Sequence, residues 1–243
     1  FEQTPQRVDI NSLADIAASA LDMPALAWTL EQVPDINWVQ KSLEGLSPVH
    51  AGRFFVHGHH DRPLRPANSI TIELEAAMAF GSGHHGTTKG CLIAFDHLLK
   101  QRRFNRILDV GTGTGILAIA AAMAQKTTII ASDIDPVAVH HAAANARHNG
   151  VGAYVKSLKC SGLNHRQIRK NGPYNLIFAN ILARPLAAMA LAMNANAAPG
   201  AFVILSGILP RQSVFVERAY RQQGFAVSRR YSLENWITLC LRK

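Results

Sequence analysis

Cysteine is scarce in this 243-residue chain, with three residues, Cys91, Cys160 and Cys240, far apart and without a CxxC pair. That spacing excludes an even disulfide framework and a paired-thiolate zinc site, and reduced thiols in the cytoplasm are expected. Long hydrophobic runs are absent too. The longest, ILAIAAAMA at 116–124, has core-helix length and falls short of the roughly 18 residues of a membrane span, so no membrane partner is expected. The opening FEQTPQRVDI lacks a secretory signal pattern. It also lacks an initiator Met, so further residues upstream are expected. There is no convincing internal repeat and no low-complexity tract. Carboxylates are outnumbered by cations, 16 Asp and Glu against 25 Lys and Arg, for a formal charge of +9. Such a balance favours nucleic acid or acidic surfaces but says nothing about fold. With 48% apolar residues and 17% charged ones, the chain can fill one full-sized core with room for a small appended domain.

What is present changes character near residue 62. Before it, SLADIAASAL (12–21) and INWVQKSLEGL (36–46) read as short helices, and GRFFVHG (52–58) as a strand. HDRPLRPANS (60–69) has two prolines among polar residues, as a boundary would. The expected organisation is an incomplete N-terminal α+β recognition domain with its linker over residues 1–62, and a second domain over 63–243. From residue 87 helices and apolar strands alternate. Helical stretches are expected from 87, over 116–125 and 136–150, in the ARPLAAMALAMNAN segment, and over 210–224. Strands are expected at 105–111, 127–133, 153–157, 174–180 and 200–207, with two more closing the chain. This alternation predicts an α/β fold with a mostly parallel, seven-stranded sheet covered on both faces. Ligands of such sheets bind beyond the carboxyl ends of the strands. Those ends are Gly111, Asp133 and Asn180.

LDVGTGTGILAIA is the sharpest local signal. A strand enters glycines 111, 113 and 115 and a helix follows. Glycine admits backbone conformations and close ligand approach that a side chain blocks. A nicotinamide fingerprint, GxGxxG, would need glycine where Ile116 stands. Asp109 places a carboxylate at this strand end, which suits a cationic ligand better than a pyrophosphate. Asp133 ends the next strand, 22 positions after Gly111, where a carboxylate can accept hydrogen bonds from both ribose hydroxyls of a nucleoside. Asp135 before Pro136 reads as a helix N-cap. Asn180 offers an amide carbonyl that can accept from an amine, although taken by itself a turn-forming Asn is the better reading.

AFGSGHHGTTKG (79–90) raises a separate question. Gly81 and Gly86 have the Walker A separation, but Thr87 stands where that loop needs Lys, so a phosphate cradle is not expected. No Cys or Glu completes a zinc site with the paired histidines of this loop, of HGHHD (57–61) or of residues 140–141. No metal is expected, and those at 57–61 and 140–141 read as solvated. A GxSxG elbow for serine catalysis is missing.

Taken in order, AFGSGHHGTT, ILDVGTGTGILAIAA, SDIDPVAV, NARHNGV, ANILARPL and LSGIL resemble the ribosomal protein L-eleven methyltransferases, the PrmA family, from about residue 36 to the C-terminus. The glycine loop alone marks the broad class of S-adenosylmethionine-dependent methyltransferases. The AFGxGxHxTT and NILAxPL segments are far more specific. The resemblance implies a Rossmann-like class I methyltransferase domain behind a small domain that recognises the ribosomal stalk-base protein. It implies methylation of that protein's N-terminal amine and lysines, with S-adenosyl-L-homocysteine as product and ribosomal RNA close to the partner. Gly111 would lie against the methionine part of the cofactor, and Gly113 is counted with it. Asp133 would hold the ribose. Thr88 and Asn180 match further cofactor contacts, Asn180 being also the catalytic candidate. Phe80 and His85 belong to a loop that would close over the cofactor. Departures are His84 for a common Thr, Gly86 for Pro, Arg184 for Gly, and Thr112 and Thr114 for Cys and Ser.

The chemistry implied is in-line displacement at a sulfonium methyl, which asks for alignment and desolvation rather than a metal or covalent nucleophile. A lysine must first lose its proton, and an apolar pocket lowers its pKa. The alternatives are an RNA methyltransferase or other protein methyltransferase of the same fold, and a ribosome-binding protein without activity. The first would use the positive charge, but the chain lacks an NPPY-type base-pocket motif. The intact Gly111–Asp133 pair argues against the second.

Overall fold

The computed structural model describes residues 7–20, 48–74 and 85–243. Two compact units divide the chain, residues 1–41 and residues 42–243. In the first, helix α1 spans Arg7–Ala20, beginning five residues before the expected start at Ser12. The helix expected at 36–46 lies outside the described residues.

The second unit holds two sheets. In the small one, β1 (Val49–Ala51), β2 (Phe54–His57) and β3 (Ile70–Glu73) lie in the order β1-β2-β3. β1 and β2 pair antiparallel, while β3 runs parallel to β2 with Phe54 opposite Ile70. A 3-10 turn over His59–Leu64 occupies the proline-rich stretch. The large sheet follows α2 (His85–Leu99). Its members in chain order are β4 (Ile107–Val110), α3 (Ile116–Gln125), β5 (Ile129–Asp133), α4 (Pro136–His148), β6 (Val155–Lys159), α5 (Arg166–Asn171), β7 (Tyr174–Asn180), α6 (Ala183–Ala188), α7 (Ala190–Asn196), β8 (Ala197–Ile208), α8 (Ser213–Gln222), β9 (Ala226–Leu233) and β10 (Trp236–Arg242). The order is β6-β5-β4-β7-β8-β10-β9, seven strands of which only β10 opposes its neighbours. The α/β, mostly parallel sheet expected from the sequence is therefore present; β3, in the small sheet, and the short α5 are elements beyond those expected.

Two apolar clusters cover the sheet. Ile107, Ile129, Leu176, Phe178 and Ile204 join the cluster with α2, α3 and the small sheet. Leu108, Ile130, Ile177, Ala179 and Leu205 join the cluster with α6, α7 and α8. Successive strand residues alternate between the faces, as a period of two requires. The same alternation fixes the strand ends. Asp109, Asp133 and Asn180 follow Ile107, Ala131 and Phe178 at intervals of two, so all three belong to the α2–α3 face.

β1 and β2 share that core. Phe54 stacks on Phe95 of α2 at 5.6 Å, and Phe95 meets Phe178 edge-on at 5.2 Å. The compact unit thus starts at Ser42, upstream of the boundary expected after residue 62. GRFFVHG is a strand because Phe54 and Val56 supply one buried face of this cluster.

Candidate strand-end site

The glycine loop leaves β4 with Gly111 at φ +66° and Gly113 at φ +55°, backbone angles that L side chains rarely adopt. A Cβ on Gly111 would stand 2.3 Å from Ile181 Cγ2, so only glycine lets the chain after β7 approach this turn. Around Gly113 a Cβ would meet nothing within 4 Å. That position faces open space, and the missing side chain leaves the backbone accessible.

Asp133 ties the loop to the end of β5. Its Oδ2 accepts from Gly113 N at 2.9 Å and its Oδ1 from Asp135 N at 3.1 Å. Each oxygen keeps acceptor capacity, and the group is only partly buried. Asp135 caps α4 as expected, accepting from Val137 N at 2.8 Å. Ile134, 67% exposed, and Val137 lie beside Asp133 as uncovered apolar side chains.

Asp109 sits deeper, 1% exposed. Its Oδ2 accepts from Thr112 Oγ1 at 2.6 Å and from Ala118 N at 3.2 Å, while Oδ1 has no partner among the described residues. Burial pushes its carboxyl up to about 7, against the pull of the Thr112 and Ala118 hydrogen bonds and with help from the nearby charge of Asp133.

Asn180 closes the row from β7. Its Nδ2 donates to Thr87 Oγ1 of α2 at 3.2 Å. Its Oδ1 is buried and has no partner among the described residues. An unsatisfied buried acceptor costs about 1–3 kcal/mol, so a group that binds here and donates to it recovers that cost. Thr88 is buried beside Thr87 in the first turns of α2. His85 starts this helix; its side chain, and Phe80 with the rest of residues 75–84, lie outside the described residues.

The contacts therefore string the predicted residues together: Asp133 to Gly113, Gly111 to Ile181, and the adjacent Asn180 to the helix carrying Thr88. A carboxylate for hydroxyls, an open glycine turn, and two orphaned acceptors suited to N–H donors fit a nucleoside joined to a cationic amino acid, as in S-adenosylmethionine. Among the described residues no three His, Cys, Asp or Glu side chains group as a metal site.

Two features escaped the sequence. Thr87 is one, for nothing local marks which of two adjacent threonines meets a residue 93 positions away. The second is the surroundings of Glu73 at the end of β3. Arg62 donates to it through Nε and Nη2 at 2.6 and 2.7 Å, Arg65 at 3.0 Å, and His59 and His148 lie within 3.3 and 3.2 Å. Asn149 bonds both its backbone N, at 2.9 Å, and its O, at 2.7 Å. Burial alone would raise the Glu73 carboxyl, but hydrogen bonds from Arg62, His148 and His59 and the Arg62 charge bring it down to about 2. His57, expected in solvent, is buried on β2; its Nδ1 lies 2.7 Å from Gly58 O.

Comparison with known proteins gives the family. The family model described as ribosomal protein L11 methyltransferase (PrmA) matches residues 2–243. The chain is 46% identical to the ribosomal protein L11 methyltransferase of Bradyrhizobium diazoefficiens over 243 residues, all of this chain and 82% of that protein. It is 47% identical to that of Caulobacter sp. over 213 residues, 88% of this chain and 73% of that protein. The crystal structure of ribosomal protein L11 methylase from Lactobacillus delbrueckii subsp. bulgaricus superposes with a TM-score of 0.69 at 26% identity, covering 82% of this chain and all of that one. By sequence and by fold, this chain belongs to the ribosomal protein L11 methyltransferase (PrmA) family.

Proposed function

We propose that this protein transfers methyl groups from S-adenosylmethionine to amino groups of ribosomal protein L11, on lysine side chains and the N-terminal amine, in the cytoplasm. The observation that carries the amine as acceptor is Asn180. One side of its amide is held by Thr87, and the carbonyl oxygen is buried without a partner among the described residues. An amine N–H donating to that oxygen would have its remaining lone pair directed by the bond. When bound, the cofactor supplies a methyl group on a positively charged sulfur, which departs as a neutral thioether as the amine nitrogen's lone pair forms the new C–N bond.

The residues of this chain have separate tasks. Asp133 accepts from the ribose hydroxyls with the acceptor capacity that Gly113 and Asp135 leave. The open turn at Gly113 leaves room for the cofactor, and the methionine part would lie against the backbone at Gly111. Thr88 and Gly111 serve as cofactor contacts, and so do Phe80 and His85, carried over from the family resemblance. Asn180 orients the amine, which must arrive neutral. A free lysine titrates near 10.4, and an apolar setting lowers that value. The methylated product carries the proton until it returns to water. Alignment of amine, methyl and sulfur is the main source of rate.

Recognition of the protein substrate is a task for the N-terminal part, expected over residues 1–62; the sharper division is at Ser42, because β1 and β2 complete the core of the methyltransferase unit. The test of the function is incubation with labelled S-adenosylmethionine and either ribosomal proteins or ribosomal RNA. Label on ribosomal protein L11 at amino groups supports the reading. Label on RNA alone would replace it with an RNA methyltransferase.

A further inference from the structure

Asn180 can help an amine only if its carbonyl, and not its NH₂, faces the incoming nitrogen. A primary amide presents an acceptor on one side and donors on the other, at nearly equal size. Rotation by half a turn about the terminal bond would offer N–H groups to the lone pair that must attack. Something must set the rotamer, and the strand itself does not.

Thr87 is placed to do so. It is fully buried in the first turn of α2. The period-two alternation of β7 puts Asn180 on the face that α2 covers. The two meet at 3.2 Å, with Asn180 Nδ2 donating to Thr87 Oγ1. The opposite edge of the amide, Oδ1, is the one without a partner among the described residues. One strand over, Ser206 pairs in register with Asn180, and its hydroxyl lies 2.8 Å from that of Thr238. Gly90, one turn after Thr87, packs so closely on this pair that a Cβ would stand 2.2 Å from Thr238 Oγ1. That contact fixes the distance of α2 from the strands and hence the reach of Thr87.

We infer that Thr87 is a positioning residue for methyl transfer: its hydroxyl oxygen holds the Asn180 NH₂ and so presents the Asn180 carbonyl to the substrate amine. This rests on the reading of Asn180 given above. Thr87 touches neither amine nor cofactor in this account. It acts on the rate through the orientation of Asn180, and a misplaced orienting group lowers turnover without loosening binding.

The experiment uses the full chain as wild type, Thr87→Val and Thr87→Ser, with S-adenosylmethionine and ribosomal protein L11 as substrates. Valine keeps the shape and removes the acceptor; serine restores it. Thr87→Val is expected to lower kcat about tenfold or more, with KM for the ribosomal protein and calorimetric affinity for S-adenosylmethionine within about twofold of wild type. Thr87→Ser is expected to recover most of the loss. The side-chain amide signals of Asn180 in ¹⁵N-labelled protein, recorded without substrate, should shift in Thr87→Val and return in Thr87→Ser. Wild-type kcat in Thr87→Val would overturn the inference. So would equal losses in both variants with weakened cofactor binding and a lowered unfolding temperature, which would make Thr87 a packing residue. If wild type methylates no ribosomal protein, the functional reading fails instead. The Asn180 signals then still decide whether Thr87 sets the amide, and unmoved signals in Thr87→Val would end the inference.

Discussion

Two buried carboxylates divide this molecule between them. Glu73, at the end of the small sheet, has partners on both oxygens and is drawn down to about 2. Asp109, at the end of a strand of the large sheet, has two donors on one oxygen, none among the described residues on the other, and is pushed up to about 7. Burial works in the same direction on both. The difference lies in how far the fold completes their hydrogen bonding. Where two arginines, two histidines and an asparagine converge, the charge is neutralised in place and the result is a fixture joining β3 to the C-terminal end of α4. At the sheet's carboxyl edge the fold stops short, at Asp109 and again at Asn180. The proposed ligand site rests on such incompletely paired polar atoms, held in position by the sheet.

The largest expected effect that would break this contrast is at Asp109. Its folded value is raised above the ordinary 3.8, so its contribution to stability is present at low pH and is lost as pH rises through about 7. Asp109→Asn does not titrate. Relative to wild type it should gain about 3 kcal/mol between about pH 5 and pH 8, read by denaturant unfolding at both. A difference independent of pH would mean that the carboxylate is compensated after all.

Asp133→Ala comes next. Loss of hydrogen bonds to a charged acceptor should weaken S-adenosylmethionine binding by about 1.5–3 kcal/mol, roughly 10- to 150-fold. Unchanged calorimetric affinity in a folded variant would remove Asp133 from the ribose. Glu73→Gln should show the opposite pattern to Asp109. The Glu73 value is depressed below the ordinary 4.5, so its contribution is present above that pH and is lost as pH falls toward about 2. Because Arg62 and Arg65 are partly exposed, the loss at neutral pH should be about 1–2 kcal/mol, closing in acid. Its cofactor affinity should match wild type; a weakened one would join Glu73 to the site.

Much of the site could be read along the chain because its parts are punctuated locally. Gly111 ends a run of buried strand residues, Asp133 and Asn180 end two others, and a period of two puts the last two on one face with Asp109. Each signal lies within a few residues of its cause. The Glu73 cluster has no such signal. It joins residues 59–65, 73 and 148–149, and ITIE is too short for its alternation to stand out beside a proline-rich turn. RQIRKN likewise gives too few residues to establish a helical period, though α5 forms there, capped by His165. Thr87 and Thr88 are chemically alike, and only the packing of α2 on β7 separates them. His57 reads as solvated within HGHHD and is buried because β2 is covered on both faces.

The most direct measurement is methyl transfer by Asn180→Ala at saturating S-adenosylmethionine and saturating ribosomal protein L11, beside binding of each partner. The account predicts that turnover falls by about tenfold or more, while affinity for the ribosomal protein stays near that of wild type, because the carbonyl acts on the amine during transfer and not in docking. Wild-type turnover under saturation would contradict it and leave the carbonyl oxygen of Asn180 without a part in the chemistry.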